Sequence, residues 1–409
     1  MSRAIELRET DDQTLEEKTL KTYHCDLWRG GFEGVLSSGA QTFCLFIAIR
    51  FFNAGETIKA FIAAAPFMGM FLSMLLLHYA SMTNWKKSTW GAVPSFITGC
   101  CLLIAAWAQS LTLFACLVIA GYICRSALLP FITEIYSDNY PSGKRAAFFS
   151  KPLLLSVGIA ALSGFIGSWF LELNINNYHW IFTFLGFCAF AKAVAIFSMP
   201  SEPIIDSPHT NPFGNMKYII KDKSFGYVLL TWFIMGFANL WTLPLRVDYV
   251  TAPEWGIEGS AIYVAMIITI IPETIRMILI PFWASLFDKM NFVVLRMILN
   301  LFFGFGVLLF FVTSNPWVIG MGSALIGAAF AGGSIAWNLW VTKYAPPGKA
   351  GAYMSVHVSL TGIRGTIGPI LGYWTVNLIG AQNIGIISFV MMFFATLMLI
   401  PEIKHGAKR

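Results

Sequence analysis

Long apolar blocks alternate with short polar segments along almost the whole chain. Each block contains about twenty residues, which is the length a helix needs to cross a hydrocarbon core of about 30 Å. The pattern therefore predicts an all-α membrane protein with twelve transmembrane helices. The predicted spans, numbered 1 to 12, are 32–52, 57–80, 88–108, 111–136, 146–171, 178–199, 225–247, 260–284, 292–313, 317–341, 351–374 and 383–401.

The longest polar interruption, 200–224, divides the spans into two groups of six. It is rich in proline and then in lysine, a composition typical of a linker on the membrane surface, with a short amphipathic helix near 213–221. The predicted domain organisation is an N-terminal tail 1–28, a six-helix bundle 29–199, the linker 200–224, a second six-helix bundle 225–401 and a C-terminal tail 402–409.

Most of the 27 basic residues fall in the tails, the linker and the even-numbered loops. Since loops rich in Lys and Arg remain in the cytoplasm, we expect both termini to be cytoplasmic. This asymmetry also accounts for the formal charge of +6, so no nucleic-acid partner is expected. The short outer loops and the absence of an N-x-S/T sequon favour a bacterial inner membrane, with an organelle as the alternative.

Composition excludes a soluble enzyme, because 57% of the residues are hydrophobic and only 12% are charged. None of the seven cysteines forms a C-x-x-C pair, so we interpret them as buried thiols that pack as small apolar groups. The sequence contains no P-loop, HExxH, G-x-S-x-G or metal-ligand cluster. We therefore expect no enzymatic activity, cofactor or metal.

The two groups of spans share an internal repeat. Residues 141–150 align with 346–355 at an offset of 205, and both copies contain P-x-G-K-x-x-A. At the same offset Trp169 corresponds to Trp374. Both copies lie on the same face of the membrane, which indicates a parallel repeat related by a pseudo-two-fold axis along the membrane normal.

Charged residues at membrane depth are candidates for function, because each costs about 2.5–3.5 kcal/mol on insertion scales. The candidates are Glu33, Arg125, Glu134, Lys151, Lys192, Glu273, Arg276, His357 and Arg364. Spans 3, 9 and 12 have none at depth, since Arg296 lies at the end of its span. This distribution is expected if those three spans face lipid.

Helical spacing shows which of these candidate residues share a face of their helix. His357 and Arg364 are seven residues apart and share a face, whereas Glu273 and Arg276 are three apart and can pair. The predicted substrate-binding residues are Arg125, Arg364, His357, Arg276, Trp337, Asn338, Gln41 and Asn239. The predicted proton-coupling residues are Glu273, Glu33 and His357. Alternatives remain: Lys151 and Lys192 can extend toward the membrane surface, Glu273–Arg276 can be a structural pair, and the tryptophans can be packing residues.

The chain resembles the major facilitator superfamily in its six-plus-six spans, parallel repeat and central linker. Loop 8–9, residues 284–289, is similar to the family's G-x-x-x-D-R/K loop, with Asp288 and Lys289 as gate residues. Arg125 matches the helix-4 arginine of proton-coupled drug exporters, but the following Gln and Gly are replaced, and the G-P-x-x-G motif appears only at 368–372. The resemblance implies alternating access around a central site lined by spans 1, 2, 4, 5, 7, 8, 10 and 11.

These features favour a secondary active transporter of a small organic solute, and an anionic one because the cations outnumber the carboxylates. The alternatives are a proton-coupled exporter of amphipathic compounds and a transporter-like protein that senses a ligand or assists assembly of a membrane complex. The expected partners are the small-molecule substrate, the lipid bilayer and protons as candidate coupling ions, and we expect a monomer.

Overall fold

The computed structural model describes residues 2–141, 145–203, 216–346 and 350–406. This part of the chain contains twelve long helical segments, α1 to α12, one for each predicted span. Their bounds are Ser2–Ser38, Gly39–Phe43 and Cys44–Arg50 (α1); Glu56–Ser81 (α2); Lys87–Ala106 (α3); Leu111–Ala127 and Leu129–Asn139 (α4); Arg145–Leu173 (α5); Tyr178–Phe197 (α6); Lys223–Thr242 and Leu245–Thr251 (α7); Ala261–Ala265, Met266–Ile270 and Ile271–Lys289 (α8); Phe292–Phe311 (α9); Pro316–Leu339 (α10); Ala350–Ile379 (α11); and Ala381–Met398 (α12).

Ten helices are long and apolar enough, over the described residues, to cross a membrane. Segments α2 and α11 are not among those ten, although they contain 26 and 30 residues and occupy the positions of predicted spans 2 and 11. The beginning of α1 contacts the end of α4, and the segment after α12 contacts the beginning of α9; the side that holds these ends is here called the terminal side. The opposite side is called the far side.

Segment α1 begins much earlier than the predicted span, which started at 32. Its polar N-terminal part packs against the end of α4: Thr19 donates to the Asn139 carbonyl at 2.6 Å, and the Asn139 amide donates to Thr22 at 2.8 Å. Hydropathy did not predict this polar N-terminal part of the helix, because polar side chains in it form hydrogen bonds with α4. Glu33 consequently lies inside a helix that begins well before it and continues through a π-helical turn to Arg50, rather than near a helix start. The cytoplasmic location of 1–28 stays a prediction.

The segments pack as two groups. In the first, α3 packs on α6, and α1 packs on α5 and α6. In the second, α9 lies against α10 and α12, and α7 packs on α11 and α12. The groups meet where α2 contacts α11 and where α5 contacts α8. This is the expected pair of six-helix bundles, and the residue limits of the two bundles stay predictions.

The glycines of α11 allow α2 to approach closely. A Cβ atom on Gly365 would lie 2.3 Å from the Phe67 ring, and one on Gly362 would lie 3.1 Å from the Phe71 backbone nitrogen. Side chains at these two positions would separate the helices, so the glycines are needed for contact between the bundles.

Two predicted features fall partly outside the described residues. The linker contains the short helix Tyr218–Lys221, but 204–215 of the region predicted to contain an amphipathic helix are not described. The same holds for 142–144 and 347–349 in the repeated loop. Trp169 and Trp374 are 52% and 54% exposed, as expected for equivalent lipid-facing positions, and their superposition stays a prediction.

Candidate functional site

Three helices of the first bundle meet at the carboxylate of Glu33. Its Oε1 accepts a hydrogen bond from Arg125 of α4 at 2.5 Å, and its Oε2 accepts one from Lys192 of α6 at 2.5 Å. Arg125 also donates to the Ser37 hydroxyl at 2.8 Å. Lys192 is buried with its ammonium on Glu33, so the interpretation that it extends toward the membrane surface is wrong. The site therefore combines one carboxylate with two cations from separate helices.

A second carboxylate in α1 has partners of its own nearer the terminal side. Asp26 Oδ1 accepts hydrogen bonds from Arg29 Nε and from the Tyr136 hydroxyl, both at 2.5 Å. Closer to the membrane surface, Glu134 is 3.4 Å from Lys87. Glu134 thus has an ion-pair partner at the start of α3.

Polar contacts at the centre connect the two bundles. Gln41 of α1 donates to Glu273 Oε1 of α8 at 2.9 Å, and the hydroxyls of Thr42 and Thr269 are 2.6 Å apart. Gln41 and Thr42 lie in the π-helical turn Gly39–Phe43, and Thr269 lies in the π-helical turn Met266–Ile270. Such turns inside α-helices are frequently found at functional sites.

Glu273 also pairs within its own helix, as the three-residue spacing predicted. Arg276 NH1 is 3.2 Å from Glu273 Oε2, and Arg276 NH2 donates to the Ser334 hydroxyl of α10 at 3.0 Å. Because Glu273 accepts from Gln41 as well, this pair also contributes to the contact between the bundles.

Arg364 lies near the middle of α11 and is bound to α7. Its NH1 donates to the Trp232 carbonyl and its NH2 donates to the Thr361 hydroxyl at 3.1 Å. Gly236 of α7 makes room for the guanidinium, since a Cβ atom there would lie 2.3 Å from Arg364 Cζ. Arg364 is therefore buried against neutral partners.

His357, predicted to share a face with Arg364, is enclosed by aromatic rings. The ring centroids of Trp232, Trp337 and Trp340 lie 5.1, 5.3 and 5.2 Å from its own. The residue is 1% exposed, and among the described residues its Nε2 atom has no hydrogen-bond partner. The structure thus places Trp337 beside His357 in the second bundle.

Two further buried arginines were not among the predicted site residues. The Arg296 guanidinium lies 3.7 Å above the Trp232 ring, so Arg296 is buried in the bundle although its position suggested a helix end. Arg246 donates to Asn239 Oδ1 at 2.6 Å, so predicted Asn239 contacts an arginine that was not a predicted site residue. The positions of these arginines in the sequence gave no sign of either contact.

Ion pairs join the bundles at the far side. Lys59 of α2 is 2.6 Å from Asp248 of α7, and both side chains are at most 6% exposed. Asp248 also accepts a hydrogen bond from Trp255 Nε1 at 3.0 Å. Arg50 pairs with Glu258 at 2.9 Å in a more exposed position. Basic residues on the side that is poor in Lys and Arg were the only sequence signal for these contacts.

The structure gives no side-chain contacts for three of the remaining predicted site residues. The side chains of Asn338 and Asp288 lie outside the described part, so the expected contact of Asp288 with a helix end or basic residue stays a prediction. Lys289 is the last residue of α8 and its side chain is exposed.

Both bundles contain buried charges. Among the described residues, the peripheral ion pairs that join the bundles lie on the far side. These are features of a polytopic membrane transporter. The model of the Major Facilitator Superfamily matches residues 34–363 and 249–409, so the chain belongs to this family. The family assignment identifies an integral multi-pass membrane transporter rather than an enzyme. No curated protein matches the chain.

Solved transporters share the fold at low sequence identity. The nucleoside transporter NupG is 13% identical, with a TM-score of 0.67 over 96% of this chain and 99% of its own. A POT family transporter in complex with 5-aminolevulinic acid is 14% identical, with a TM-score of 0.73 over 94% and 96%. The D-xylose-proton symporter is 16% identical, with a TM-score of 0.70 over 93% and 96%. These likenesses confirm the expected fold.

Proposed function

We propose that the protein is a secondary active transporter that moves a small organic anion by alternating access. The observation that carries this proposal is an excess of buried positive charge. Arg246, Arg296 and Arg364 are at most 5% exposed, and among the described residues none of them pairs with a carboxylate. An arginine in a membrane stays charged and needs an anion, carbonyl groups or water beside it. The partners present, such as the Trp232 carbonyl on Arg364 and the Asn239 oxygen on Arg246, are neutral, and a bound anion would balance the remaining positive charge.

Arg364 and Arg125 are the residues we assign to the anionic part of the substrate. Both lie near the middle of their helices, one in each bundle. A substrate held between them would bridge the bundles, which is the requirement for a solute that is exposed first to one side and then to the other. Asn338, Gln41, Asn239, Arg276 and Trp337 remain candidates for its other contacts.

We assign proton coupling to Glu33 and Glu273 rather than to His357. The Glu33 side chain is 23% exposed and Glu273 contacts the opposite bundle through Gln41, whereas His357 is enclosed by three tryptophan rings. A proton can reach a partly exposed carboxylate more readily than a fully enclosed imidazole.

The test is uptake and counterflow in proteoliposomes with a panel of small organic anions and their neutral analogues. We expect anion flux, a loss of at least tenfold in Arg364→Ala and Arg125→Ala, and unchanged flux in Lys404→Ala, whose side chain is exposed near the chain end. Near-normal flux in both arginine variants contradicts the binding assignment. A pH dependence that survives both Glu33→Gln and Glu273→Gln contradicts the coupling assignment.

A proton-coupled exporter of amphipathic compounds is the second candidate, supported by an apolar groove of about 500 Å³ on the first bundle. The groove is lined by residues of α1, α5 and α6, among them Trp28, Phe32, Leu155, Ile159 and Phe184. Outward flux of amphipathic cations with no flux of small anions would favour this candidate. Ligand binding without any flux would favour a sensor or assembly factor.

We also propose a bacterial inner membrane and cytoplasmic termini, on the basis of the distribution of Lys and Arg. Reporter fusions at 409 and in the loop 312–315 test the orientation. Reporter activity typical of the cytoplasm at 312–315 would contradict the proposed orientation.

A further inference from the structure

We propose that Arg125 and Lys192 form a binding site for the substrate's carboxylate, and that Glu33 occupies this site when no substrate is bound. The inference rests on the proposed transport of an anion. It gives a role in substrate binding to Lys192, which the proposed function does not use. It also names the chemical class of the substrate, a small carboxylic acid anion.

The geometry of the Glu33 contacts supports an exchangeable ligand. Each carboxylate oxygen serves one cation, with Oε1 on Arg125 and Oε2 on Lys192, both at 2.5 Å. A carboxylate from another molecule presents the same two oxygens at the same spacing. The two cations come from α4 and α6, whereas the carboxylate comes from α1, so movement of α1 alone can separate them.

The cations are more deeply buried than the carboxylate. Arg125 also donates to Ser37 at 2.8 Å and lies 5.5 Å from the centroid of the Tyr122 ring. Lys192 is 2% exposed, while Glu33 is 23% exposed. If Glu33 leaves, Lys192 cannot reach water in its place, and an unpaired buried charge costs several kcal/mol. Another anion must therefore replace Glu33.

The local charge favours this exchange. One carboxylate faces two cations, while the nearby Arg29 on the same helix is paired with Asp26. Helix α5 also packs on α1, but its Lys151 is exposed and its Glu172 accepts from the Ile262 nitrogen. The α8 carboxylate, Glu273, contacts Gln41 instead. Once released from its cations, Glu33 takes up a proton more readily, because the ionic contacts that favour its charged form are gone. Substrate binding and proton binding are thereby linked at one residue.

The test uses formate as the probe, because it is the smallest carboxylate and stays ionised at about pH 5. In Glu33→Ala the cation pair has lost its carboxylate, so we expect about 100 mM formate to raise the melting temperature in detergent by several degrees over the same concentration of chloride. Wild type should respond by less than a degree, because its own Glu33 carboxylate occupies both cations.

Two variants make the test specific. Glu134→Ala removes a carboxylate from an exposed pair with Lys87 and should show no formate effect. Glu33→Ala combined with Arg125→Ala should lose the effect seen in Glu33→Ala. If Glu33→Ala does not fold, Glu33→Gln keeps the side-chain volume and should respond to formate in the same direction.

The outcomes separate this inference from the proposed function. Equal formate and chloride responses in Glu33→Ala and Glu33→Gln overturn the exchange site, even if anion flux is measured in liposomes. A specific formate response sustains the site even if flux is absent, in which case transport itself is contradicted.

Discussion

The buried pair of Lys59 and Asp248 should hold the far side of the transporter closed. The pair joins α2 of the first bundle to α7 of the second at 2.6 Å, and neither side chain is more than 6% exposed. In a conformation that is open on the far side, the bundles separate there and both side chains become hydrated. Asp248→Asn therefore raises the free energy of the closed state, where Lys59 stays buried, more than that of the open state.

The size of this free-energy cost depends on the contacts that Lys59 keeps in Asp248→Asn. Removing one partner of a buried ion pair costs about 3–5 kcal/mol. Lys59 keeps Glu254 at 4.0 Å and the Tyr373 ring at 5.1 Å, so we expect a smaller cost, about 2–3 kcal/mol. A difference of this size changes the ratio of open to closed molecules about 30- to 150-fold.

The assay is the distribution of distances between spin labels on the two bundles, in lipid nanodiscs. Label positions are Gly55→Cys, where a Cβ atom has no neighbour within 4 Å, and Ser314→Cys in the exposed far-side loop, in a background without the seven native cysteines. Asp248→Asn should populate longer distances. Glu258→Gln is the matched control, because Glu258 belongs to an exposed pair worth at most about 1 kcal/mol.

A double variant distinguishes an ion-pair effect from general loosening. Lys59→Met combined with Asp248→Asn leaves no buried charge unpaired, so its shift should be smaller than that of Asp248→Asn alone. If Asp248→Asn shifts the distances no more than Glu258→Gln does, the pair does not control the far side.

Two further predictions concern stability in detergent, measured as melting temperature. Gly69→Ala places a Cβ atom 2.2 Å from the Ile123 carbonyl oxygen and should cost about 1–3 kcal/mol, whereas Gly333→Ala meets nothing closer than 3.7 Å and should cost nothing. Equal melting temperatures in these two variants would contradict the close α2–α4 contact. Glu33→Ala should destabilise more than Lys192→Met, since it leaves two buried cations unpaired while the lysine change leaves a one-to-one pair. The reverse order would mean that Lys192 is held by something other than Glu33.

The sequence was sufficient to predict interactions within one helix. The spacing of Glu273 and Arg276 places them on adjacent turns, and the structure pairs them at 3.2 Å. The fold class and the two-bundle arrangement also followed from hydropathy and the proline-rich interruption, because burial in lipid leaves a strong signal in an apolar span.

Interactions between helices could not be predicted in the same way. Glu33 and Lys192 are 159 residues apart, and only the packing of α1 against α6 brings them together. Arg296 was placed at a helix end by its position, although the packing of α9 beside α7 stacks it on Trp232. Hydropathy measures the affinity of a segment for lipid and contains no information on which polar faces will meet.

The two functional clusters share α1. Glu33 on this helix contacts the cations of the first bundle, and Gln41, eight residues further on, contacts Glu273 of the second. Gln41 lies in the π-helical turn that begins at Gly39, so this local irregularity of the helix begins between the two contacts. A displacement of α1 that releases Glu33 from Arg125 and Lys192 also moves Gln41 relative to Glu273. The occupancy of a site inside one bundle is therefore mechanically connected to a contact between bundles, which is the connection that coupled transport requires.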